Sequence, residues 1–207
     1  MKIMDSNPIK PEGYSLEDWQ GHYERGELMW DIEQVSPPFA LLWEKGKLTP
    51  GKAVIPGCGR GHEVIYFAER GFDVTAVDFA VGAVSLLKNS LVERKLPARV
   101  IHGNFFDLDA SHDGTYDIMF EQTFFSAIAP SQRALYVETS ARILKKNALL
   151  LALFYETGGE GGPPFNTTQA EIRQNFSSHF AIEYLERSAD SVERRKDKEW
   201  LAFLRKK

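Results

Sequence analysis

The residues best suited to chemistry lie at positions 53–78, where a glycine-rich turn is followed by an isolated acid. The apolar residues 53–55 predict a buried strand, and Gly57, Gly59 and Gly61 follow it at alternate positions. A second predicted strand ends at Asp78. In a strand–turn–helix unit, glycines let the backbone approach a ligand closely, and a carboxylate about 20 residues further on accepts hydrogen bonds from ribose hydroxyls. The pattern therefore predicts a nucleotide or nucleoside site.

The spacing of these glycines favours one class of ligand. Dinucleotide sites have the pattern G-x-G-x-x-G and hold a pyrophosphate at the helix N-terminus, whereas this chain has G-x-G-x-G followed by His62 and Glu63. An acid at the start of that helix repels a pyrophosphate and competes for its amides. A ligand with an ammonium group fits better, and S-adenosylmethionine (SAM) carries both an ammonium and a sulfonium. The alternative is a glycine turn that binds no ligand.

Composition predicts one globular domain that acts on a small molecule. A chain of 207 residues with 43% hydrophobic and 26% charged residues is close to the globular average. No apolar run approaches the roughly 20 residues of a membrane span. Because the net charge is −4 and the basic residues are dispersed, no nucleic-acid partner is expected. We expect a monomer with a small-molecule acceptor and no membrane partner.

The cysteine and histidine content bears on location and on metals. One cysteine leaves no internal disulfide, which is consistent with a cytoplasmic protein. The five histidines lack the spacing of a metal site, so no metal is expected. Cys58 lies between two glycines without the histidine and acid that activate a nucleophile.

The order of predicted elements indicates the fold class. Helices are predicted at 16–25, with Ser15 as N-cap, and from Pro37. Strands are predicted at 52–56, 72–78, 99–102, 117–122 and 148–155, alternating with further helices. Such β-α alternation specifies an α/β, Rossmann-like, doubly wound parallel sheet with helices on both faces. Two further strands, at 180–187 and 199–205, are close enough in sequence to form an antiparallel C-terminal hairpin, giving a mostly parallel seven-stranded sheet.

The predicted sheet also fixes where a site should form. Open α/β sheets bind ligands beyond the carboxyl ends of their strands. We therefore expect five strand-end residues to converge on one edge of the sheet: Gly57, Asp78, Asn104, Glu121 and Tyr155.

Several segments spread along nearly the whole chain carry a family resemblance. They are W-x3-Y-x6-W-D at 19–31, V-I-P-G-C-G-R-G-H-E at 54–63, V-D at 77–78, G-N-F-F at 103–106, F-S-A-I-A-P at 125–130, G-G-P-P at 161–164 and R-R-K at 194–196. On these segments the chain resembles the class I SAM-dependent methyltransferases of the thiopurine S-methyltransferase family, with its thiol/halide methyltransferase branch. The resemblance implies methyl transfer from SAM, leaving S-adenosylhomocysteine, to a thiol, bisulfide, thiocyanate, halide or thiopurine.

The resemblance implies that the N-terminal part of the chain is a helical lid. From length and composition we expect residues 1–207 to form one domain with a flexible arm at 1–14, and the resemblance implies that 15–46 cover the cofactor. It places Trp19, Tyr23 and Trp30 against the cofactor, and ring faces attract a sulfonium.

The resemblance assigns cofactor contacts at the sheet edge as well. It places Gly57, in the same turn as Gly59, against the amino acid end of the cofactor. Asp78 falls on the ribose diol, and Asn104 and Phe105 meet the adenine. Many relatives have an acid where this chain has Asn104, but an amide oxygen still accepts from the adenine amino group.

Further contacts are implied at the end of the fourth strand and at the acceptor end. Glu121 and Gln122 match positions of cofactor contacts, although the family often has an aromatic where this chain has Gln122. Tyr155 is expected to line the acceptor pocket, together with Phe39, Phe125 and Phe165. Arg195 matches a basic position of the thiol/halide branch and is expected to guide an anionic acceptor, since positive charge also favours a thiolate.

Displacement of a methyl group by a soft anion needs no metal, so the enzyme contributes positioning and desolvation. Three other functions remain open. A nicotinamide oxidoreductase has the same layout, but the glycine spacing and Glu63 count against it. A non-catalytic SAM-binding module is compatible with every motif. A small-molecule N- or O-methyltransferase is the fourth hypothesis, although a hydroxyl acceptor usually needs a base or metal.

Overall fold

The structure is a computed structural model that describes residues 10–207. Most of the arm predicted over 1–14 therefore lies outside the described residues. The Lys10 amide donates to the Gly162 carbonyl at 3.1 Å, and its Nζ lies 2.6 Å from the Asp18 carboxylate. The ring of Tyr14 packs edge-on against Trp19. Residues 10–14 thus contact both the lid and the loop at 161–164.

Seven strands form one mixed sheet, as predicted. They are β1 (Lys52–Pro56), β2 (Asp73–Asp78), β3 (Ala98–His102), β4 (Tyr116–Gln122), β5 (Leu144–Tyr155), β6 (Phe180–Arg187) and β7 (Glu199–Lys206). Their order is β3-β2-β1-β4-β5-β7-β6. Strands β1 to β5 run parallel to one another, and β7 runs antiparallel to both β5 and β6. The parallel strands therefore place their carboxyl ends on one edge.

Strand β5 begins at Leu144 rather than at 148. Leu144 pairs with Tyr116 across a register shift, and residues 145–147 are exposed and polar. The apolar pattern in the sequence begins only at Ala148, so the start of the strand at Leu144 could not be predicted from it.

Seven α-helices surround the sheet in the described part of the chain. They are α1 (Leu16–Arg25), α2 (Pro37–Glu44), α3 (His62–Ala68), α4 (Val81–Arg94), α5 (Phe124–Ala127), α6 (Arg133–Ile143) and α7 (Gln169–Phe176). Ser15 and Asp18 form a capping box at the start of α1, and Gly26 in the left-handed conformation ends it. The Ser15 prediction is therefore confirmed. No helix among residues 10–207 is long and apolar enough to span a bilayer.

The two faces of the sheet carry separate cores, as strand β5 shows. Leu150, Ala152 and Phe154 pack with residues of α6 and α7. Leu151 and Leu153 point the other way, into a core with residues of α2, α3 and α4. Full burial of one such large apolar side chain is worth about 1.5–3 kcal/mol. Helices on both faces thus hold the strand ends of the sheet in a rigid frame.

Candidate active site

A cavity of about 420 Å³ lies at the carboxyl ends of the strands, under the N-terminal segment. Nine of the residues singled out in the sequence line it: Trp19, Tyr23, Trp30, Gly57, Asp78, Asn104, Phe105, Tyr155 and Arg195. The structure does not bring Gly59, Glu121 or Gln122 to its wall. Segments far apart in sequence thus meet at one site.

The glycine turn after β1 is shaped to approach a ligand. Gly57 and Gly59 both have φ of +55°, in the left-handed region that glycine adopts without strain. A side chain at Gly57 would also collide with the ring of Phe124. The backbone of Gly57 therefore forms a wall of the cavity that no other residue type could form without rearrangement.

Asp78, at the end of β2, holds this turn in place. Its Oδ2 accepts from the Gly59 amide and its Oδ1 from the Ala80 amide, both at 2.9 Å. Burial raises the pKa of Asp78, and this effect outweighs that of the amide hydrogen bonds, which lower the pKa. A carboxylate offers about four acceptor positions, so two remain for ribose hydroxyls. Gly59 contributes through Asp78, and its own position is behind the cavity wall.

Asn104 and Phe105, which were predicted to meet the adenine, follow β3 and line the cavity. The Asn104 Oδ1 accepts from the Phe106 amide at 3.1 Å and caps a short 3-10 turn at Phe105–Asp107. Phe105 is buried, with its ring centroid 5.8 Å from that of Phe124. This capping bond fixes the side chain of Asn104 at the wall and leaves acceptor capacity on its oxygen.

The lid is a cluster of aromatic rings packed mostly edge to face. The ring centroid of Trp30 lies 5.1 Å from that of Trp19 and 5.9 Å from that of Tyr23. Tyr14, which the sequence reasoning missed, also lines the cavity and lies 5.1 Å from Trp19. Aromatic pairs of this kind contribute roughly 0.5–1.5 kcal/mol beyond burial. The rings therefore form a preorganised roof.

Asp31 ties this roof to the glycine turn. Its buried carboxylate accepts from Arg60 at 3.1 Å and lies 2.9 Å from His62 Nε2. Burial raises the pKa of Asp31, but the hydrogen bonds from His62 and from the Glu33 amide lower it to about 2. Asp31 is therefore ionised at neutral pH. This tether could not be read from the sequence, because Asp31 and His62 approach only through the fold.

Glu63 lies in the first turn of α3. Its Oε1 accepts from the Ser36 amide at 3.0 Å and from the Ser36 hydroxyl at 2.9 Å, and Glu63 does not line the cavity. It ties α3 to the segment before α2. The Glu63 carboxylate therefore does not contact the cavity directly, and its predicted effect on ligand choice stays a prediction.

Tyr155 and Arg195, which were predicted to contact the acceptor, meet at the cavity wall. The Arg195 guanidinium donates to Glu199 Oε1 at 3.0 Å and to the carbonyl of Trp30. Its carbon lies 5.7 Å from the Tyr155 ring centroid. Arg195 is only 6% exposed, so it is not part of a solvated charge run. It joins β7 to the lid.

The structure places Glu121 and Gln122 away from the predicted cofactor contacts. Glu121 is fully buried and accepts from the Tyr136 hydroxyl at 2.6 Å and the Phe125 amide at 2.9 Å. Burial raises its pKa to about 7. Gln122 accepts from the Thr123 hydroxyl at 3.1 Å. Successive strand residues point to opposite faces, so a strand-end position alone does not bring a side chain to the ligand.

Three aromatics expected at the acceptor end are core residues. Phe39, Phe125 and Phe165 are at most 5% exposed and do not line the cavity. The aromatic wall is instead supplied by Phe124 and Phe106. Phe106 belongs to the G-N-F-F motif, and Phe124 directly precedes the F-S-A-I-A-P motif. These motifs therefore indicated the region of the cavity but not the aromatic residues that line it.

These features fit SAM. The backbone of Gly57 is accessible, Asp78 has unused acceptor positions, and the aromatic roof suits a sulfonium. Asn104 and Phe105 add a polar group and an aromatic ring to the lining, which would suit a purine. Cys58 is buried with a raised pKa because of burial, so it is not a nucleophile. Residues 10–207 contain no group of three or more histidine, cysteine or acidic side chains that could hold a metal ion.

Known proteins with similar sequences are methyltransferases. The chain is 30% identical over 159 residues to probable thiol methyltransferase 2 of Arabidopsis thaliana, covering 75% of this chain and 70% of that protein. It is 28% identical over 221 residues to the thiopurine S-methyltransferase of Equus caballus, covering 95% and 88%.

A solved structure shows the same fold. It is the 1,6-didemethyltoxoflavin-N1-methyltransferase of Burkholderia thailandensis with bound S-adenosylhomocysteine. The TM-score is 0.76 at 19% identity, covering 98% of this chain and 93% of that chain. The sheet order and the antiparallel C-terminal strands are those of class I methyltransferases.

The family model described as thiopurine S-methyltransferase (TPMT) matches residues 14–206. That match covers the lid, the glycine turn, the strand ends and the loop of Arg195. The chain therefore belongs to the thiopurine S-methyltransferase family and is a SAM-dependent methyltransferase.

Proposed function

We propose that this enzyme transfers the methyl group of SAM to a small soft nucleophile: a thiol, bisulfide, thiocyanate, halide or thiopurine. One observation carries the proposal. Among the described lining residues, the only carboxylate is Asp78, and it is held by two backbone amides. The lining contains no imidazole. Such a site favours an acceptor that reacts as an anion, since it offers little to remove a proton.

The tyrosine nearest the turn does not supply a base either. Burial raises the pKa of Tyr23 well above its usual range, and the nearby Asp78 carboxylate adds to this effect. The phenol therefore stays protonated at neutral pH. His22 packs behind Trp30 and Trp19, outside the cavity lining.

At the cofactor end, each residue has a defined task. SAM, when bound, supplies a methyl group already activated on a sulfonium. Gly57 offers its backbone to the amino acid end, and Asp78 accepts from the ribose hydroxyls. Trp19, Tyr23 and Trp30 exclude water from the sulfonium region. Asn104 and Phe105 orient the adenine.

At the acceptor end, Tyr155 and Arg195 position the nucleophile. Pro163 and Pro164 also line the cavity, and such apolar surfaces remove water from an incoming anion. Holding reactants at attack distance contributes on the order of 7–11 kcal/mol to such reactions. We propose that the enzyme works in the cytoplasm, in keeping with its single cysteine, and as a monomer, since a chain of 207 residues is long enough to enclose such a site.

The test has two stages. Calorimetric titration with SAM and S-adenosylhomocysteine measures cofactor binding, and mass detection then follows methyl transfer to a panel of thiols, bisulfide, iodide, thiocyanate and a thiopurine. Binding with transfer to one of these supports the proposal. Binding without transfer to any of them would contradict the acceptor class. Transfer only to a nitrogen or oxygen acceptor would replace it.

A further inference from the structure

We propose that Arg194, rather than Arg195, supplies the positive charge that draws an anionic acceptor into the cavity. Arg195 then acts as a positioning residue. This inference rests on the proposed function, in which the acceptor reacts as an anion. It assigns different tasks to two adjacent arginines that both line the cavity.

The charge of Arg195 is cancelled where it stands. Its guanidinium lies 3.0 Å from the Glu199 carboxylate, and the two side chains are 7% and 3% exposed. The Ser191 hydroxyl donates to the other oxygen of Glu199 at 2.6 Å, which stabilises the ionised carboxylate. A buried ion pair has no net charge, so it exerts little pull on a distant anion.

The charge of Arg194 is not cancelled in this way. Its guanidinium donates to the carbonyl of Met29 at 2.9 Å and to the carbonyl of Asp31. Both acceptors are neutral. No carboxylate of residues 10–207 forms an ion pair with Arg194. The neighbouring Glu193 and Asp197 are exposed and outside the cavity lining.

The position of Arg194 places its charge at one end of the cavity. It is exposed at the rim beside Met29 and Trp30, which also line the cavity. Asp78, the lining carboxylate, belongs to the ribose end and repels anions there. The potential therefore favours an anion at the acceptor end. Clefts lined by one sign of charge raise the rate of ligand entry.

The catalytic test separates the effect of the Arg194 charge from the effect of its hydrogen bonds to the carbonyls of residues 29 and 31. Iodide is the acceptor, because its charge does not change with pH. Arg194→Gln removes the charge, whereas Arg194→Lys keeps it without the two-pronged contact to the carbonyls of Met29 and Asp31. Lys196→Gln is the matched control, since it removes one charge from an exposed residue of the same loop that does not line the cavity.

We expect Arg194→Gln to lower kcat/KM for iodide roughly tenfold, mainly through KM, and to flatten its dependence on ionic strength. Arg194→Lys should retain most of the wild-type value and its salt dependence. Lys196→Gln should match the wild type. Both Arg194 variants alter the contact to residues 29–31, so their affinities for S-adenosylhomocysteine should be similar to each other, and the difference between them in kcat/KM reports the charge.

A second readout needs no turnover. Iodide quenches tryptophan fluorescence, and Trp30 lies between the two residues whose carbonyls Arg194 holds. We expect Arg194→Gln to reduce quenching by iodide but not by the neutral quencher acrylamide. Lys196→Gln should leave both quenching constants unchanged.

The outcomes separate this inference from the proposed function. Turnover of iodide that is equal in the wild type and Arg194→Gln would overturn the role of Arg194 and leave the acceptor class standing. Equal losses in Arg194→Gln and Arg194→Lys would show that tethering matters instead of charge, and would also overturn it. Arg194-dependent quenching without turnover of any anion would support the inference while the proposed acceptor class fails.

Discussion

The Asp78 carboxylate holds the glycine turn and, in the proposed function, also accepts hydrogen bonds from the ribose. In Asp78→Asn, an amide N–H₂ faces either the Gly59 amide or the Ala80 amide, so one turn contact is lost. A hydrogen bond to a charged group is worth about 1.5–3 kcal/mol. We therefore expect affinity for S-adenosylhomocysteine to fall roughly tenfold to hundredfold in calorimetry.

Asp109→Asn is the control for this change. Asp109 accepts from the Ser111 amide at 2.9 Å in an exposed 3-10 turn outside the cavity lining. Its replacement should leave cofactor affinity unchanged. Wild-type affinity in Asp78→Asn would contradict a role for Asp78 in cofactor binding.

Glu121 affects stability rather than the ligand. Its pKa is 4.5 in the reference state and about 7 when buried in the fold, so the fold favours the protonated form. The stabilisation is complete below about pH 4.5 and is lost as the pH rises through about 7. The difference is on the order of 3 kcal/mol.

Glu121→Gln should therefore flatten the pH dependence of the free energy of unfolding, measured by urea titration across this range. Glu183→Gln is the control, because Glu183 is exposed and its pKa is lowered by the hydrogen bond from Arg205. A pH dependence in Glu121→Gln as steep as in the wild type would contradict the assignment.

At the scale of elements, the lid is held at two places. Arg194 and Arg195 hold the carbonyls of residues 29–31 from one side. Arg60 and His62 hold the Asp31 carboxylate from the other. We expect the strength of these tethers to affect how fast a ligand passes the lid.

Asp31→Asn weakens the second tether and should speed release of S-adenosylhomocysteine about tenfold, if the loss is near 1.4 kcal/mol. Stopped-flow tryptophan fluorescence measures this rate. Asp18→Asn, which disturbs the exposed capping box of α1, tests whether any damage to the lid has the same effect. Equal rates in both variants would rule out a specific role for Asp31.

The sequence predicted the elements better than their side-chain directions. Alternating apolar strands and helices specify the sheet, because local periodicity reports local structure. The direction of Glu121 depends on Tyr136, and that of Glu63 depends on Ser36. Both partners are distant in sequence. Gly57 and Asp78 were found because the backbone of one turn sets their geometry.

At the scale of the whole molecule, the cavity joins the lid to the sheet. A ligand that fills it contacts both, so it should stabilise the entire fold. At a concentration about 100 times Kd, binding adds about 2.7 kcal/mol, which raises Tm by roughly 5–10 °C for a chain of this size. Differential scanning calorimetry with S-adenosylhomocysteine measures this shift.

NADH and adenosine complete the test of ligand class. NADH carries a pyrophosphate and should give no shift. Adenosine lacks the amino acid end that we propose Gly57 accommodates, so it should give a smaller shift at equal concentration. In Asp78→Asn the shift from S-adenosylhomocysteine should shrink with the lost affinity. A shift with NADH but none with S-adenosylhomocysteine would contradict the assignment of the cavity, because the turn would then be holding a pyrophosphate.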